Sequence, residues 1–176
     1  MCCVKVRRII LPLFPALAAL LTACGGGSRD ATPATKPESS EAVAELAAPA
    51  KSGETTYGQI CASCHQATGL GVEGTFPPLK GSKWLLGKPE IPIAIVIAGL
   101  QGEILVEGKP FAGAMQPWGM LSDDDVARVL TYARSQWGNT GSAVTPEQVK
   151  AVRETVGSRS AWTAEELKKA YPGAGN

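Results

Sequence analysis

Cys61-Ala-Ser-Cys-His65 sets two thiols three positions apart with an imidazole directly behind them. Thiols at that spacing can each add to a vinyl group on one edge of a porphyrin, and the adjacent imidazole is then carried beneath the iron as a proximal ligand. The chemistry this points to is covalent attachment of a single haem, with Cys61 and Cys64 as the bonded residues and His65 on the metal. Zinc sites, redox dithiols and disulfides also use Cys-x-x-Cys, and counting removes them. A structural zinc site needs four ligands from Cys and His. Here the other cysteines, Cys2, Cys3 and Cys24, fall within the first 24 residues, and His65 is the single histidine of the 176-residue chain. A thioredoxin-like dithiol expects a strand-helix-strand setting, whereas this motif ends a short helical pattern and enters the glycine-rich loop Gln66 to Gly71.

The elements that must hold these groups can be read outward from them. Gly53-x-x-x-Tyr57-x-x-x-Cys61 puts a small residue, an aromatic and the first thiol one helical turn apart, and Gly53 would let another helix cross closely. The natural crossing partner follows Leu121. Ser122 is an N-cap, Asp123, Asp124 and Asp125 favour the positive helix start, and Leu121 can staple onto Val126. Val126, Val129, Leu130, Ala133 and Trp137 then form an apolar stripe that Gly138 ends. Between these helices, Ile91 to Leu100 is apolar on nearly every face. Periodicity leaves helix and strand open there, and Pro92 near the start with Gly99 at the end favours helix. Gln101 to Phe111, with Gly102, Gly108 and Pro110, reads as a loop or short hairpin.

Taken together, Tyr57, Cys61-x-x-Cys-His65, Gly69-x-Gly71, Phe76-Pro-Pro-Leu79, Met115-Gln-Pro-Trp-Gly119, Leu121-Ser-Asp and Leu130-Thr-Tyr-Ala-Arg134 give a pattern that resembles the class I cytochromes c. The likeness is strongest to the single-haem modules that serve bacterial alcohol dehydrogenases, nitrite reductases and terminal oxidases, and it covers residues 53 to about 139. It implies an all-α fold wrapped around one covalent haem c. It also implies that a carbonyl of the proline stretch, at Pro77 or Pro78 and assigned here to Pro78, accepts the ring N–H of His65 and so orients the ligand. Trp84 stands where such proteins have an aromatic residue that donates to a haem propionate; an amphipathic tryptophan filling the rim is the alternative.

With one histidine in the chain, two histidines cannot ligate one iron, and methionine is left as the strong candidate for the sixth position. Met115 and Met120 are the methionines outside the N-terminal signal. Met115 occupies the place of the family's ligand and follows Ala112, Gly113 and Ala114, small residues that let the backbone approach a haem face. Met120 precedes the cap of the last helix, where an apolar side chain has a packing reason to exist. Met115 is therefore the expected ligand. The family usually has proline directly after that methionine, whereas this chain has Gln116 and then Pro117, which keeps Met120 as the alternative.

Residues 1–23 have the layout of an export signal, with Lys5, Arg7 and Arg8, an apolar run from Ile9 to Leu21, and small residues before a cleavage point. Leu21-Thr-Ala-Cys24 resembles the lipobox of bacterial lipoproteins, in which the cysteine is acylated. Cys24 is thus the expected lipid anchor, on the periplasmic side of a bacterial membrane, with the outer membrane favoured. Residues 24–52, rich in Ala, Pro, Ser, Thr and Glu, read as a flexible stalk. Loss of the signal removes three of the 17 basic residues and leaves 14 against 16 acidic ones, a net charge of about −2 that gives no electrostatic footprint for nucleic acid.

The haem domain is assigned to residues 53–141 and a helical C-terminal extension to 142–176. In the extension, Thr145 with Gln148 and Thr163 with Glu166 have capping-box spacing. Helices so short need something to pack on, either the haem domain or a partner. The functional expectation is a one-electron carrier without substrate chemistry, exchanging electrons with a dehydrogenase, nitrite reductase or terminal oxidase. The alternatives are a docked subunit of one such complex, or a haem sensor or enzyme with an open iron site.

Overall fold

A computed structural model describes residues 53–175; the signal, Cys24 and the stalk lie outside the described residues. Residues 53–56 are helical. The chain then makes one π-helical turn, Tyr57–Cys61, before the short helix α1, Ala62–His65. Helices α2 (Lys83–Leu86) and α3 (Glu90–Ala98) follow, then strands β1 (Leu100–Val106) and β2 (Lys109–Met115), then α4 (Asp123–Ser135), α5 (Pro146–Val156) and α6 (Ala164–Ala170).

The strands correct the all-α expectation. They pair antiparallel from Leu100 opposite Met115 to Val106 opposite Lys109. The connection is a two-residue turn with positive φ at both Glu107 (50°) and Gly108 (75°), the type that matches the twist of a hairpin. Leu100, Ile104, Val106 and Phe111 are buried, while Gln101, Glu103 and the apolar Leu105 between them face outward. Ladder pairing carries β2 four residues past Phe111 to Met115, through a run of Ala and Gly with no strand preference of its own.

α3 is the buried helix that its flanks indicated: Ile91, Ile93 and Ala94 are wholly inaccessible, and Gly99 closes it at φ 81°. α4 begins as its caps predict, Ser122 Oγ accepting the Asp125 N–H at 3.1 Å, and buries Val126, Val129, Leu130 and Ala133. It stops at Ser135 rather than at Gly138. Trp137 lies beyond it in a left-handed conformation (φ 57°), packs on Tyr57 and Tyr132, and donates its indole N–H to the Ala67 carbonyl at 2.9 Å. The helical stripe therefore lacks its fifth member, which instead braces the loop behind the haem motif.

Gly53 sits against α4 so closely that a Cβ there would collide with the Arg128 carbonyl, whereas Gly58 has open space around it. Gly53→Ala is expected to cost about 1–3 kcal/mol as overpacking against backbone, read as a lower thermal midpoint of the holoprotein. Gly58→Ala should be neutral or slightly stabilising. Equal effects at both positions would contradict the close crossing.

The C-terminal extension folds onto the rest of the chain. Both capping boxes form. Val149, Val152, Val156 and Leu167 join the same hydrophobic core as α3 and α4. Trp162 adds a parallel bridge, its N–H donating to Gly99 O at 3.0 Å and its carbonyl accepting from Gln101 N–H at 2.8 Å. A buried guanidinium, Arg134 at 2% exposure, ties the layers together: it donates to the carbonyls of Leu85, Gly87 and Ser142, and to Ser142 Oγ.

Candidate haem-binding site

A cavity of about 390 Å³ opens between the motif segment, the hairpin, α3 and α4, within the range of cofactor pockets. Cys61, Cys64 and His65 form one wall, and the loop through Pro77 and Pro78 continues it. Opposite elements contribute Ile95 and Val96 from α3, Ile104 and Phe111 from the hairpin, and Leu130 from α4. The π-helical turn lets Tyr57, Ile60 and Cys61 all face this space, and single-turn π-bulges recur at functional sites.

His65 is held from both sides. Tyr57 donates its hydroxyl to the Gln66 carbonyl at 2.7 Å, and the Gly71 N–H binds the His65 carbonyl at 3.0 Å. The ring itself places Nδ1 3.0 Å from the Pro77 carbonyl. A carbonyl only accepts, so Nδ1 carries the proton and Nε2 keeps its lone pair for a metal. Burial holds His65 below the usual imidazole range, opposed by the bond to Pro77, so the ring is neutral near pH 7, as a ligand must be. Burial, with Cys64 adding to it, pushes the Cys61 thiol up to about 11.

The assignment of the orienting carbonyl moves by one residue, from Pro78 to Pro77. The cause is a tight loop. Val72 and Phe76 exchange backbone hydrogen bonds of 2.9 and 2.8 Å, and Gly71 packs where a Cβ would strike the carbonyls of Phe76 and Pro77. This turn aims the Pro77 carbonyl at the ring and leaves Pro78 as part of the cavity wall. Asn139 fixes the far end of the loop, accepting from Gly81 N–H at 2.9 Å and donating to the Ala133 carbonyl at 2.9 Å.

Trp84 has a protein partner for its polar end, as the rim-filling alternative allows. Its ring lines the cavity, and its indole N–H donates to the Leu105 carbonyl at 2.8 Å, fastening α2 to the hairpin. The two methionines separate clearly. Met115, at the end of β2, lines the cavity; Met120 is 81% exposed and does not. Strand pairing with Leu100 sets the position of Met115, and Gly99 passes so near the Met115 carbonyl that no side chain would fit between.

The donor set fits a c-type haem: two free thiols, a neutral imidazole of fixed tautomer and a thioether, around apolar walls. Among the described residues no group of three or more His, Cys, Asp or Glu is placed to hold a metal ion by itself. Among the described residues, the ionisable side chains lining the cavity are Tyr57, Cys61, Cys64 and His65, with no carboxylate, lysine or arginine.

Sequence comparison agrees with this geometry. The family model for cytochrome c oxidase, cbb3-type, subunit III matches residues 48–132. Cytochrome c-552 of Thermus thermophilus is 36% identical over 121 residues, 66% of this chain and 82% of that protein. The cytochrome c subunit of a quinone-dependent alcohol dehydrogenase from Gluconacetobacter polyoxogenes is 34% identical over 118 residues, 64% of this chain but 25% of that subunit. The gluconate 2-dehydrogenase cytochrome c subunit of Pantoea cypripedii is 32% identical over 111 residues, 59% of this chain and 24% of that subunit. The chain belongs to the cytochrome c family. Its cofactor is covalently attached haem c, and its role is electron transfer.

Proposed function

We propose that this protein is a lipid-anchored periplasmic electron carrier in which His65 and Met115 are the two axial ligands of one haem c bonded to Cys61 and Cys64. When bound, that group supplies a reversible one-electron Fe(II)/Fe(III) couple. The observation that carries the reading is the placement of His65 and Met115 on one cavity whose walls are mostly apolar, beside the two thiols of Cys61 and Cys64. The chain's residues bind, orient and exclude water. His65 is aimed by Pro77, Met115 lines the same cavity and would supply the second ligand, and the hairpin and α3 keep the site apolar.

The anchor is assigned to Cys24, with residues 24–52 as a tether and an outer-membrane, periplasm-facing location. Cys24→Ala is expected to move the protein from the membrane fraction to the soluble periplasmic fraction with its absorption spectrum unchanged. Purified protein should reduce and reoxidise with one-electron Nernst behaviour and bind carbon monoxide slowly when reduced. Rapid binding would favour an open-site sensor or enzyme. A docked role beside a dehydrogenase, nitrite reductase or oxidase is the second reading, supported by the dehydrogenase cytochrome subunits among its relatives. Cross-linked membranes should then yield one dominant partner complex rather than free monomer.

A further inference from the structure

The segment that follows Met115, residues 116–122, joins β2 to α4; Leu121 packs on the core, and two backbone hydrogen bonds are donated from within it. Trp118 N–H donates to the Val96 carbonyl at 2.8 Å, and Leu121 N–H closes a turn onto Trp118 at 3.0 Å. Gly119 lies close against α3, where an added Cβ would come within 3.0 Å of the Ile97 carbonyl. Met120, between them, is turned to solvent and anchors nothing. The carbonyls of Gly119 and Leu121 must find donors elsewhere.

They find them in the C-terminal extension. Arg153 of α5 donates from Nη1 to Gly119 O at 2.6 Å and from Nη2 to Leu121 O at 2.8 Å, and Nε reaches Asp123 Oδ1 at 2.8 Å. One planar guanidinium thus bonds the loop twice and the first residue of α4 once. A lysine ammonium, a point donor, could not span all three acceptors. Arg153 is steadied in turn by a helix whose Val149, Val152 and Val156 are buried and whose start is boxed by Thr145 and Gln148. It lies beyond the residues matched by the family model. The loop is held between α3 on one side and Arg153 on the other.

We propose that Arg153 is a positioning residue for the axial methionine: it holds the 116–122 loop closed and so limits how often Met115 leaves the sixth position to another ligand. The proposal rests on the reading of Met115 as that ligand. The probe is imidazole binding to the ferric holoprotein by stopped flow, taking the limiting rate at saturating imidazole, which reports loop opening. Arg153→Gln should raise that rate roughly tenfold or more, the size expected from losing one charge-assisted hydrogen bond. Glu154→Gln, at the neighbouring exposed position, should leave it unchanged. Arg153→Lys should move towards the glutamine variant, because charge alone does not restore the three bonds.

A lower melting temperature with a limiting rate within twofold of Glu154→Gln would reduce Arg153 to a fold staple and overturn the proposal. Should Arg153→Gln not accumulate as holoprotein, Arg153→Lys decides, and a wild-type rate in it overturns the proposal equally. Failure of the underlying reading looks different. Met115→Leu would then keep the methionine-to-iron charge-transfer band, whatever the rates in the Arg153 variants.

Discussion

Replacing both Cys61 and Cys64 by serine is expected to abolish covalent haem, so that no pigment stays with the chain through denaturing electrophoresis or acidified organic extraction. These are the two free thiols among the described residues, both line the cavity, and the remaining cysteines fall at positions 2, 3 and 24 of the sequence. Each attachment adds a thiol across a vinyl double bond: sulfur bonds one carbon, the hydrogen goes to the other, and nothing leaves. Serine is close in size, so the loss would be chemical rather than steric. Haem that still stained on the gel would contradict the assignment of these two residues. The effect should reach beyond colour. The haem group would fill the cavity of about 390 Å³ walled by α3, the hairpin and α4, and so would complete the core there. Stability from a group that binds only the folded chain would then be lost, and the double variant should show a broadened, lowered thermal transition.

Met115→Leu should have the next largest effect. Leucine conserves volume well enough that the fold should persist, but it removes the thioether from the cavity. Methionine ligation favours the ferrous state, so the reduction potential should fall on the order of a hundred millivolts or more, within the ~0.8 V that axial ligands span. Carbon monoxide should also bind the reduced variant rapidly. Met120→Leu is the matched control, since Met120 is 81% exposed and outside the cavity. Its potential and carbon monoxide kinetics should match the wild type. A Met120 variant that behaves as predicted for Met115 would reverse the assignment.

Groups that act through their own side chains were legible in the sequence. Cys61, Cys64 and His65 stand out by spacing, and the single histidine makes methionine the candidate for a sixth ligand without any fold. Capping residues act over three positions, so Ser122, Thr145 and Thr163 mark helix starts that the structure contains. What could not be read acts through backbone or at long range. Pro77 and Pro78 differ in which carbonyl faces His65, and a carbonyl has no side-chain signature. β2 reaches Met115 through Ala112, Gly113 and Ala114, whose strand state comes from pairing with β1 rather than from propensity. Trp137 fits a helical stripe by period, yet the helix ends two residues earlier and the ring packs on Tyr57. Arg134 and Arg153 look like surface charges. Their partners, Leu85 and Gly119 among them, are carbonyls tens of residues away, which no local pattern encodes.

The account turns on Met115 closing the site opposite His65. The most direct test is the red absorption spectrum of the ferric protein, where methionine bonded through sulfur to iron gives a charge-transfer band. Wild type and Met120→Leu should both show this band, and Met115→Leu should lack it. A band that survives in Met115→Leu, or is missing from the wild type, would contradict the account.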